Sequence, residues 1–125
     1  MLDEGAPIFS QVAERLAGDI AEGTLAEGDR VPSTNELAAF YRINPATAAK
    51  GINVLTDSGL VEKRRGIGMF VAVGARARLL DDRRRRFAEH YVEPMVAEAT
   101  RLGIDAHTLA SMIRESAHTQ GGIKV

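Results

Sequence analysis

Ile8, Val12, Leu16 and Ile20 recur every four residues, with Phe9, Ala13 and Ala17 beside them. That spacing lines one face of an amphipathic helix. Pro7 suits its first turn, where a missing N–H would be unpaired anyway, and Gly23 suits its stop. Gly28-Asp29 predicts a turn, Arg30-Val31 a minimal strand and Pro32 a break. Ser33-Thr34-Asn35-Glu36 has the form of a capping box. It predicts a short helix over 34–41, with Leu37, Ala38 and Phe40 or Tyr41 facing inward. Asn44-Pro45 reads as the cap and first position of a third helix that runs to about Ser58 and stops at Gly59. Ala48, Ile52 and Leu55 would face inward, and Ala46, Thr47, Ala49, Lys50 and Asn53 outward. Gly51 costs this helix roughly 1 kcal/mol relative to Ala, which implies close packing at that point.

Residues 60–64 and 69–73 predict two short strands, joined by a glycine turn at Arg65-Gly66-Ile67-Gly68. Three helices followed by a hairpin is the order of a winged helix-turn-helix. From Gly74 the pattern changes. Leu80, Phe87, Tyr91, Met95, Ala99 and Leu102 mark one face of a long helix of roughly 27 residues. Pro94 should kink it, and Gly103 ends it. Asp105 can cap a last helix through about Ala117, with Leu109, Met112 and Ile113 as its apolar stripe, and residues 121–125 should fray. The expected fold class is mainly α with a small β-hairpin. A winged helix-turn-helix over 1–73 is followed by a C-terminal helical region over 74–125.

At 125 residues the chain suits one ordinary domain, or a small domain plus an extension. It has no cysteine, which excludes disulfides, thiolate metal sites and Cys nucleophiles. No apolar run approaches the ~20 residues of a membrane span, and the acidic start MLDEGAPIF lacks the basic opening of a signal peptide. The expectation is a soluble cytoplasmic protein with no membrane partner. A net charge of −1 argues, taken whole, against a nucleic-acid partner. Its distribution reverses that inference. Residues 1–36 carry −6, residues 37–73 carry +3 and residues 74–125 carry +2. The local field, rather than the total, selects a partner.

Six fragments occur in order: Pro7-Ile8-Phe9-x-Gln11-Val12, Gly23-x-Leu25-x-x-Gly28-Asp29-x-Val31-Pro32-Ser33, Glu36-Leu37-Ala38, Asn44-Pro45-x-Thr47, Leu55-x-x-x-Gly59-Leu60-Val61 and Gly66-x-Gly68-x-Phe70-Val71. Together they resemble the DNA-binding domain of GntR-family bacterial transcription regulators. The Asn-Pro start of the third helix and the short helical tail resemble the YtrA-type subfamily, which lacks a large effector domain. The resemblance implies a dimeric repressor, often of transporter operons. It implies phosphate contacts from Ser33 and Thr34 and major-groove contacts from Asn44, Thr47, Ala49 and Lys50. It also implies minor-groove contacts from Arg64, Arg65, Gly66 and Gly68. Asn35, Pro45 and Ala49 stand where many members carry Arg or Gln, although the YtrA-type group shares the proline. Direct reading of guanine by Arg is therefore less available, and more weight falls on DNA shape, the wing and Lys50.

Asn35, Arg42 and Lys63 complete the expected DNA-binding set, with Asn44 serving chiefly as a cap. The run Arg83-Arg84-Arg85-Arg86 spans all sides of a helix beside Asp81, Asp82 and Glu89, so pairing and solvation outweigh DNA contact there. Leu80, Phe87, Tyr91, Met95 and Leu102 form the expected dimer seam, because a lone long helix cannot hide both faces. His90 and Glu93 have chelating spacing but no second cluster, so no metal or other cofactor is expected. A small-molecule effector at the dimer helices is compatible with the pattern, although the tail is too small for a dedicated sensor domain. No nucleophile, base and acid set can be placed, so no enzyme activity is expected. The rival reading is a winged-helix protein-interaction module that does not bind DNA, with the acidic first segment as its partner face.

Overall fold

The computed structural model describes Leu2 and residues 4–121, so the tail beyond Gly121 lies outside the described residues. The chain divides into two compact units, Met1–Asp82 and Arg83–Val125.

In the first unit, α1 (Ile8–Glu22) begins at Pro7, whose carbonyl accepts from the Ser10 and Gln11 N–H groups at 3.1 and 3.3 Å. It ends at Gly23, in the left-handed conformation. The helix α2 (Thr34–Tyr41) opens on the expected capping box: the Ser33 hydroxyl accepts from the Glu36 N–H at 3.1 Å, and the Ser33 N–H donates to the Glu36 carboxylate at 3.2 Å. The third helix, α3 (Pro45–Asp57), is capped by Asn44. The predicted stripes meet in one core: Val12, Leu16 and Ile20 of α1, Leu37 and Ala38 of α2, and Ala48, Ile52 and Leu55 of α3 are all buried. Of the Phe40 and Tyr41 pair, Tyr41 packs partly against that core, whereas Phe40 is exposed. A Cβ on Gly51 would lie 3.0 Å from the Phe9 carbonyl oxygen and 3.1 Å from Val12, so the glycine is where α1 and α3 approach closely.

The strands β1 (Val61–Arg64) and β2 (Gly68–Val71) pair antiparallel, with Arg64 opposite Gly68 and Val61 opposite Val71. The turn is therefore residues 65–67. Gly68, expected within the turn, is instead the first residue of the strand. Arg30 bridges to Phe70, and the Val31 N–H donates to the Met69 carbonyl at 2.7 Å. The minimal strand predicted at Arg30-Val31 thus extends the hairpin on its second edge.

The helix α4 (Ala75–Phe87) starts within the first unit and is tied down at once. Arg76 Nε donates to the Ala21 carbonyl at 2.9 Å, and Arg78 Nη2 donates to the Ser58 carbonyl at 2.6 Å. These are the carboxyl ends of α1 and α3, where carbonyls lack helical partners and positive charge is favoured. The Gly74 N–H donates to Glu27 at 2.7 Å.

In the second unit the helix continues through a π turn (Ala88–Val92) into α5 (Glu93–Arg101), and α6 (Ala106–Gln120) follows. The π turn falls directly before Pro94. Proline offers no N–H to the carbonyl four residues back, and its ring crowds that carbonyl. Here the Glu93 N–H reaches the Ala88 carbonyl, five residues back, and the wider turn accommodates the ring. Asp105 caps α6 by accepting from the Thr108 N–H at 2.8 Å. Ala99 and Ala117 are buried in this unit. Among the described residues no helix is long and apolar enough to cross a membrane.

Candidate nucleic-acid interface

Three elements of the first unit carry the expected DNA-binding residues. At the start of α2 the capping box satisfies the Ser33 and Glu36 N–H groups from within. The Thr34 and Asn35 N–H groups belong to the first turn, which has no intrahelical acceptors, so they and their side chains are free to meet a phosphate. Hydrogen bonds from the Ser33 backbone N–H and its hydroxyl partnership hold the Glu36 carboxyl below its ordinary range, so it stays ionised. At the other end of α2, Arg42 closes the helix with φ 56, the left-handed conformation, and its side chain is exposed. It is the single non-glycine with positive φ among the described residues.

Asn44 Oδ1 accepts from the Ala46 N–H at 2.8 Å, which is the cap role expected of it. That bond leaves the amide nitrogen as a donor. Thr47 and Ala49 are half-buried and Lys50 is exposed. The Lys50 ammonium sits 4.1 Å from the centroid of the Phe9 ring. Ile8, Phe9, Ile43, Asn44, Thr47 and Lys50 line a hollow of about 450 Å³ beside the helix. Phe9 was expected only as a flank of the α1 stripe. Its position one residue off the four-residue series was the available signal that it faces elsewhere.

In the wing, strand alternation divides the basic run that looks continuous in the sequence. Arg64 shares a face with Gly68 and Phe70, whereas Lys63 lies opposite Met69 on the other face. The Arg64 guanidinium stacks 4.3 Å from the Phe70 centroid. Arg65 and Gly66 occupy the turn, Gly66 with φ 77, and Ile67 is exposed at the tip. Sequence reasoning missed two residues here. Ile67 was hidden between two glycines, and Arg30 was counted with the acidic first segment although it reaches the wing.

The expected dimer seam is solvent-exposed at Phe87, Tyr91, Met95 and Leu102, and Leu80 is half-buried within the first unit. The Phe87 and Tyr91 rings lie 5.5 Å apart. Within the second unit Met95, Leu109, Met112, Ile113 and Ala117 line a largely apolar hollow of about 400 Å³. Arg84, Arg85 and Arg86 are each engaged by a neighbour, as are Asp81 and Asp82. Among the described residues no three His, Asp or Glu side chains converge as a metal site.

Three helices with a capped turn between the second and third, closed by a two-stranded wing, define a winged helix-turn-helix, the class that reads DNA with its third helix. Residues 9–71 match the family of bacterial regulatory proteins described as the gntR family. The chain is 29% identical to the HTH-type transcriptional repressor YtrA of Bacillus subtilis (strain 168), over 94% of this chain and 91% of that protein. A putative GntR-family regulator from Bacteroides thetaiotaomicron shares its fold with a TM-score of 0.71 and 31% identity, over 90% of this chain and 98% of that one. The DNA-binding domain of AraR, solved in complex with operator ORX1, matches with a TM-score of 0.53 and 32% identity, over 57% of this chain and 87% of that one. The chain belongs to the gntR family of bacterial regulatory proteins, and its first unit carries the family's DNA-binding winged helix.

Proposed function

We propose that the protein is a homodimeric transcriptional repressor that holds a pseudo-palindromic operator. Each protomer would lay α3 in a major groove, with Thr47 and Lys50 towards the bases and Ser33, Thr34, Asn35, Arg42 and Asn44 on flanking phosphates. The wing would enter the adjoining minor groove through Arg64, Arg65, Gly66 and Gly68, with Lys63 on the phosphates beside it. Two-fold symmetry relates the half-sites, and occupancy blocks polymerase. The observation that carries this reading is the pairing of a capped helix, bearing half-buried Thr47 beside exposed Lys50, with an arginine-bearing glycine wing in the same unit. The names of the similar proteins, a repressor and an operator-bound domain, support it. Cytoplasmic location accords with this role. The apolar hollow in the second unit is where a small effector would act, by favouring one spacing of the reading heads.

Selection of bound sequences from random DNA supplies the operator, and fluorescence anisotropy measures the variants. The double change Arg64→Ala/Arg65→Ala is expected to weaken binding at least tenfold at moderate salt, at roughly 1–3 kcal/mol per lost contact. Undiminished retention on the selected DNA would instead favour the protein-interaction module.

A further inference from the structure

Arg30 bridges to Phe70, and β2 places Phe70 on the same face as Gly68 and, across the ladder, Arg64. Paired residues in an antiparallel ladder share a face, and so do residues two apart on one strand. Arg30 and Arg64 therefore project from one face of the wing. The opposite face holds Val31, Val61 and Val71 in the core. Gly68 makes room for this arrangement. A Cβ there would lie 3.0 Å from Arg30 Nε, so the Arg30 side chain runs directly across the glycine. The backbone at Gly68, with φ 142, also favours glycine. Arg64 is held on the Phe70 ring from the same side.

We propose that Arg30 is a further DNA-binding residue of the wing, acting with Arg64 as a pair of guanidinium groups for phosphodiester oxygens along the minor groove. The inference rests on the operator-binding reading above. Glu62, opposite Phe70, shares that face, so the face carries two guanidinium groups against one carboxylate and keeps a net positive charge that a polyanion favours. Both side chains are already positioned, Arg64 by its ring and Arg30 by the gap at Gly68. Less rotamer freedom is therefore lost on binding than for a free surface arginine. Arg30 also helps to hold the Glu36 carboxyl ionised, as the smallest of the influences on it, so a purely structural role is the competing explanation.

The test uses the full chain, the selected operator and anisotropy over a range of salt concentrations, with thermal denaturation as the folding readout. Arg30→Met keeps the aliphatic stem across Gly68 and removes the charge. It is expected to lower affinity about tenfold and to flatten the log–log salt dependence by about one unit per protomer, at unchanged melting temperature. Arg30→Lys should restore most of the salt slope but only part of the affinity, because an ammonium cannot bridge two oxygens as a guanidinium does. Full affinity and slope in Arg30→Met would overturn the proposal, as would a loss of affinity that comes with a lowered melting temperature and an unchanged salt slope. Thr47→Ala/Lys50→Ala separates the two levels. If that change leaves binding intact, the operator reading itself fails. If it abolishes binding while Arg30→Met is silent, only the Arg30 inference falls.

Discussion

At the scale of single residues, Gly51 shows how an apparent local cost is offset by packing. An alanine there gains roughly 1 kcal/mol of helix propensity. Its methyl group, however, meets the Phe9 carbonyl oxygen at 3.0 Å and Val12 at 3.1 Å, and both contacts belong to the wall of α1 rather than to a flexible side-chain end. Neither can yield without moving one helix from the other. Overpacking of this kind costs about 1–3 kcal/mol. Gly51→Ala is therefore expected to destabilise the protein by about 1 kcal/mol net, read as a lower urea midpoint at unchanged slope. A midpoint that rises would show that α1 and α3 separate more easily than their contact suggests. Lys50 marks a limit of reading residues singly. Helical periodicity puts it on the exposed face, where it is, but Phe9 lies 41 residues earlier and the pattern holds no sign that their side chains meet.

At the scale of elements, the helix starts were the most legible features, because a cap is a local interaction between residues two or three apart. Ser33 with Glu36, Asn44 with Ala46 and Asp105 with Thr108 all appear as their spacing predicts. The wing was less legible. Its glycines announce a turn, but whether Gly68 turns or pairs depends on the strand that Arg30 and Val31 add from the far edge. The π turn was not legible at all. Pro94 announces a disturbance, and which backbone bonds absorb it depends on the surrounding helix. The caps also carry a pH dependence. The Glu36 and Asp105 carboxyls are held below their ordinary values by the N–H groups they accept from. A depressed carboxyl contributes stability that is fully present above its unfolded value, about 4 for both types, and is lost as pH falls through the lower folded value. Thermal stability should therefore fall as pH drops below about 4. Glu36→Gln combined with Asp105→Asn should flatten that fall. A double variant that follows the unaltered protein through this range would mean that the caps are not what titrates.

At the scale of the whole molecule, the second unit leaves Phe87, Tyr91, Leu102, Met112 and Ile113 in solvent, with Tyr91 at 66% exposure. These are the residues that the proposed dimer would cover, since apolar side chains on this scale are seldom left to water. If Tyr91 lies in the dimer seam, Tyr91→Glu buries a charge there and should give monomers in sedimentation velocity. Operator affinity should fall with it, because the two heads no longer bind as one. An undisturbed dimer would remove Tyr91 from the seam. The net charge of −1 also acts at this scale, and it is the least informative number about the molecule. The segment from 37 to 73 holds the recognition helix and most of the wing, and Arg30 adds a further positive charge to that surface from within a segment that is acidic in sum.

The ties at the start of α4 also say where the winged helix ends as a body. Arg76 and Arg78 fasten the helix to the carboxyl ends of α1 and α3 within its first turn, and the Gly74 N–H is held by Glu27. A slack joint at Gly74 would let the chain swivel as soon as it left β2. With these three bonds the opening turn of α4 turns with α1 and α3, and a pull on that turn is felt at the carboxyl end of the helix that carries Thr47 and Lys50.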